Sequence, residues 1–149
     1  MKNTPLQVKP ARKIERYLAI IGTVICLIVV ATIWQAISAQ QPMWPLPGLY
    51  LVEMLVVCAL GTWSIWSIDS SQSPLRRILV WAVVGILFAF MFMGAFSVGF
   101  LFLPDAALFA IAAVLLDRKE RHYQLLHIGV CLAAAIAQAV LMLVVIRLL

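Results

Sequence analysis

Two carboxylates interrupt long apolar stretches in this chain, Glu53 and Asp105. A charged side chain at the centre of a bilayer costs about 3 kcal/mol on insertion scales, so an acid kept there is by default a candidate for function. On touching helices the two could share a proton or a cation, because a carboxyl pair in low dielectric does not ionise freely. Glu53 and Asp105 are therefore the candidate ion or proton site. Each also has a plainer reading. Asp105 follows Pro104, and a proline followed by an acid suits the start of a helix. Glu53 could sit at headgroup level and be solvated.

Other polar groups carry weaker signals. Gln138 lies among Ala133, Ala134, Ala135, Ala137 and Ala139. Small residues let helix backbones approach, and an amide can hydrogen-bond across the contact. Gln138, Ala134 and Ala135 are thus a candidate helix interface. His122 and His127 are expected near the membrane surface. One of them could ligate haem, but the chain has no second buried histidine to complete a bis-His site. Cys26, Cys58 and Cys131 each sit inside an apolar run, outside any CxxC pair, and read as small buried hydrophobes. Two of them would have to meet across helices to make a redox pair or a metal site. No metal ligand set and no cofactor is expected from spacing. The chain has no HExxH, phosphate loop or Ser/His/Asp set, so it reads as a non-enzyme.

These groups need elements to position them, and composition says which. Of 149 residues, 65% are hydrophobic and 11% charged. A soluble domain has about 45–50% apolar residues and about a quarter charged. A chain this apolar needs lipid as its solvent. The expected class is an all-α integral membrane protein. Spanning helices need about 20 residues, and the apolar runs 17–39, 49–68 and 125–146 fit one crossing each. The stretch 78–116 is too long for one. It is expected to turn where Gly94, Ser97, Gly99 and Pro104 cluster, giving helices at 78–96 and 99–116. The result is a five-helix bundle in one transmembrane domain, 1–149. Run 17–39 exceeds a signal-peptide core and reads as a retained first helix.

Charge orients the bundle. Lys and Arg collect at cytoplasmic ends. Basic clusters occur at Lys2, Lys9, Arg12, Lys13 and Arg16, at Arg76 and Arg77, and at Arg118, Lys119 and Arg121, whereas 40–48 carries no charge. Five crossings put all these clusters inside, with the N-terminus cytoplasmic and the C-terminus outside. Arg147 alone falls on the wrong side. Trp44, Trp63, Trp66 and Trp81 fall near the ends of runs and are expected anchors at the membrane interface. The net charge of +5 is explained by this orientation, and nucleic acid is not an expected partner. The expected partners are lipids and other membrane subunits or further copies of the chain. The role expected is a non-catalytic subunit or accessory protein of a larger complex. A small oligomeric carrier of protons, cations or a hydrophobic ligand is the alternative. The expected location is a cell membrane, of the bacterial inner-membrane type.

In outline, five helices in 149 residues with Met43-Trp44-Pro45-Leu46-Pro47 in the first outer loop, the chain resembles the tryptophan-rich sensory protein (translocator protein) family. The likeness implies a five-helix membrane fold. It assigns no residue roles, because the family's other tryptophan positions have no counterpart here.

The orientation has a direct test. A reporter that is active only in the cytoplasm should work when fused at the N-terminus and fail at the C-terminus. The opposite pattern would overturn the five-crossing, N-inside reading.

Overall fold

The computed structural model describes residues 13–39, 46–68, 74–93, 99–117 and 124–148. They form five helices: α1 (Lys13–Ser38), α2 (Leu46–Trp66), α3 (Pro74–Met93), α4 (Leu103–Asp117) and α5 (Gln124–Leu148), with a 3₁₀ turn at Gly99–Phe102 leading into α4. All five spans are long and apolar enough to cross a membrane. The described residues contain no strand. The protein is an all-α integral membrane protein, a bundle of five transmembrane helices. Helices are the outcome that lipid demands, because each satisfies its own backbone hydrogen bonds.

The stretch 78–116 is divided as its length required. α3 ends at Met93 and the next described segment opens at Gly99. The expected fourth helix, 99–116, differs in one respect. Its first turn is 3₁₀, and the α-helix starts at Leu103 with Pro104 and Asp105 in the first turn. Proline at a helix start loses no hydrogen bond, which is why the helix begins there. The basic clusters at 2–12 and 118–121, Trp44, His122 and the 94–98 turn lie outside the described residues.

α1, α2, α3 and α4 form a ring, each packed on the next, with α4 closing on α1. α1 contributes Glu15, Ala19, Gly22, Cys26, Val30 and Ile33 to the interior, a stripe at spacings of three and four residues that keeps to one helix face. α4 contributes Asp105, Ala106, Phe109, Ala112, Ala113 and Asp117. The core thus alternates large residues, Phe90, Phe102, Phe109 and Met54, with small ones.

α5 stands outside this ring and packs along α3. His127 and Gln138 are its two buried residues among those described. They share one face with Cys131 and Ala134, at helical spacings of four, three and four. That face reaches Gly85 of α3. A Cβ on Gly85 would stand 2.1 Å from the backbone oxygen of Cys131 and 3.1 Å from the Ala134 Cβ. Only a residue without a side chain lets the two backbones come so close.

This contact predicts a contrast between two glycines. Gly85→Ala should lower stability in detergent by about 1–3 kcal/mol, the usual cost of overpacking. Gly129→Ala, where an added Cβ meets nothing within 4 Å, should be neutral or stabilise by up to about 1 kcal/mol. Equal melting temperatures for the two variants would refute the close α3–α5 approach.

Candidate functional site

The densest group of chemistry-bearing side chains lies where α1, α2 and α4 meet. One turn of that junction is built from Gly22, Gly61 and Phe109. A Cβ on Gly22 would lie 3.0 Å from Phe109 Cε2, and one on Gly61 would lie 2.7 Å from Phe109 Cε1. The Phe109 ring therefore fills the space that two absent side chains leave. The next turn outward holds Cys26, four residues after Gly22, Cys58, three before Gly61, and Asp105, four before Phe109. These spacings keep each residue on the face its neighbour presents to the junction. All three are buried, and Asp105 is 0% exposed.

The Cys58 thiol donates to Asp105 Oδ2 at 3.2 Å. Both sulfurs and a carboxylate oxygen lie within 4.8 Å of one another. The second carboxylate oxygen, Oδ1, has no hydrogen-bond partner. It faces Gly22, where an added Cβ would stand 3.1 Å away. Nearby hydroxyls are engaged elsewhere. Thr23 and Thr62 bond each other across α1 and α2, and the hydroxyl that accepts in that bond donates its own proton to the Ala19 carbonyl, which lies within reach of both. Both cysteines are free thiols. The group can hold a proton between thiol and carboxylate, or offer two sulfurs and an oxygen to a cation.

The expected pairing of Glu53 with Asp105 is not what the structure contains. Gln138 Nε2 donates to Glu53 Oε1 at 2.8 Å, so Glu53 ties α2 to α5 while Asp105 faces α1 and α2. The reason is rotation. Glu53 and Cys58 are five residues apart on α2, which is about 140° around the helix axis. If Cys58 faces Asp105, Glu53 must face elsewhere. Asp105 is a helix-start acid, as the proline before it suggested, and it is fully buried. Gln138 and Ala134 lie in the internal contact of α5 with the rest of the bundle, while Ala135 beside them is half-buried.

A second buried polar group was not anticipated. Trp81 Nε1 donates to Asp117 Oδ2 at 2.8 Å. His127 Nδ1 bonds the same oxygen and its ring stacks on Trp81, 6.2 Å between centroids. His127, in the first turn of α5, is therefore buried at a three-helix contact. Trp81 likewise turns its indole N–H inward, away from the expected anchor role. One signal was available for the pair. Asp117 ends α4 and His127 lies in the first turn of α5, so a short connection folds them toward each other. Trp63 and Trp66 are exposed. Each carries a guanidinium near its ring, Arg76 at 5.8 Å and Arg16 at 5.3 Å, a favourable cation–π geometry.

Compared with protein-family models, with curated proteins and with solved structures, the chain matches none of them.

Proposed function

We propose that this chain is a small multi-pass membrane protein that binds a cation inside the bilayer, at a centre built around Asp105. One observation carries the reading. Asp105 is fully buried in the first turn of α4, with two thiols beside it and Oδ1 unpartnered. A bare carboxylate in that position would be costly, and a bound proton or metal cation removes the cost. Two thiols and a carboxylate are donors to a cation, and this donor set is what supports a binding or carrier role. The N-terminus is placed in the cytoplasm and the C-terminus outside, in a plasma membrane of the bacterial inner-membrane type, on the strength of the basic clusters. Cation uptake into proteoliposomes, read with proton- and zinc-sensitive dyes, tests the proposal. Asp105→Asn should abolish uptake. Glu53→Gln should leave most of it, because an amide there can still bond Gln138. Uptake unchanged by Asp105→Asn would sink the proposal.

A second reading is that the chain serves as an accessory subunit, or assembles with its own copies, through α5. The observation favouring it is that α5 is held along α3 and exposes apolar side chains elsewhere, including Leu132, Ile136, Val140 and Leu143. Native gels and pull-downs from mild detergent should then find a defined complex. A lone monomer with no protein enriched would rule this reading out.

A further inference from the structure

We infer that Cys26, Cys58 and Asp105 form a site for a thiophilic divalent cation of the zinc type. The inference rests on the cation reading above and narrows it to one class of ion. Three features lead to it.

The first is reach. Two ligand atoms at about 2.3 Å from one metal can be at most about 4.6 Å apart. The three donor atoms already lie within 4.8 Å of one another, so small rotamer changes would close them on one ion. They come from three different helices, α1, α2 and α4, and the Phe109 wedge fixes the spacing of those helices on the inner side. Met54 is fully buried one turn outward of Cys58 on the same face of α2, so the site is walled by protein on both sides.

The second is donor chemistry. Hard cations take about six or more oxygen ligands. The site offers the two oxygens of Asp105, since Thr23 and Thr62 are committed to each other and to Ala19. Two sulfurs and one carboxylate suit zinc, which accepts both donor types. Three protein ligands also leave one tetrahedral position open, the arrangement of sites that exchange a ligand.

The third is charge. Two thiolates and a carboxylate carry three negative charges, and no lysine or arginine occupies the described middle turns of the spans. A divalent ion leaves one charge uncompensated, where a monovalent ion leaves two. Binding releases the two thiol protons to solution. The unpartnered Oδ1, in a fully buried carboxyl, is the polar atom that the ion would satisfy.

The test is a Co²⁺ titration of the purified full chain in detergent, without a histidine tag and with a phosphine as reductant. One equivalent should produce thiolate-to-cobalt charge-transfer absorption, and Zn²⁺ should remove it. Cys26→Ser and Cys58→Ser should each lose the band, while Cys131→Ser keeps it. Asp105→Asn should weaken binding at least about tenfold, since even outer-shell partners of a metal cost that much when removed. The wild-type titration needs no variant to fold, and gel filtration checks that each variant does. No band in the wild type, or a band that survives in the Cys26→Ser/Cys58→Ser double variant, overturns the inference. A Cys26–Cys58 disulfide in protein alkylated directly in its membranes would also overturn it, because the pair would then be redox-active. If the band is absent yet Asp105→Asn still abolishes proton uptake, the cation reading survives and the metal inference alone fails. If Asp105→Asn alters neither uptake nor Co²⁺ binding, both fail.

Discussion

The fit of Phe109 between Gly22 and Gly61 is the contact on which the rest of the interior depends. In lipid, burying apolar surface gives helices no reason to prefer each other over acyl chains, so close packing must hold them together. A single ring lodged against two residues without side chains does this for three helices at once. It sets how near α1, α2 and α4 can come, and hence that Cys26, Cys58 and Asp105 on the adjacent turn share one space. A larger residue at either glycine would spread the helices and dissolve the group. The thiol–carboxylate centre is thus a consequence of packing one turn away from it.

The remaining polar groups obey a common constraint. Hydrocarbon supplies no hydrogen-bond partners, so each side chain must find one within the protein, and Ser64 takes the Leu60 carbonyl of its own helix. Glu53 meets Gln138, Asp117 meets Trp81 and His127, Thr23 meets Thr62, and Tyr50 reaches the Phe90 carbonyl at 3.3 Å. These pairs staple α5 to the bundle and α1 to α2. They explain why α5, apolar on nearly every face, still has a defined orientation: its two buried residues are the polar ones. Asp105 and Asp117 each keep one oxygen unpartnered; Asp117 shares its other oxygen with Trp81 and His127, whereas Asp105 has two thiols beside it.

Much of the architecture could be read without coordinates. Hydropathy marked the spans, and the length of 78–116 demanded a turn. The alanines around Gln138 pointed to a helix contact, and Pro104-Asp105 pointed to a helix start. The partners were another matter. Glu53 and Asp105 looked like a pair because both are acids at similar depth, and the structure gives each a different neighbour. Cys26 and Cys58 looked like small hydrophobes because nothing in their separation along the chain links them. His127 drew notice only as a residue near a span end, and Asp117 drew none.

The physical reason for that division is rotational. The sequence by itself determined the solvent, the number of helices and the stretch each occupies to within a few residues, because these depend on hydropathy summed over about 20 residues. Which face of each helix turns inward was decided only by tertiary packing. In a soluble helix a polar stripe reports that rotation, but these helices are apolar nearly all round, so a step of one residue, about 100°, leaves almost no trace in the pattern. Glycines and one phenylalanine settled the rotation by fit, and with it whether an acid in the membrane would meet an amide, a histidine or two thiols.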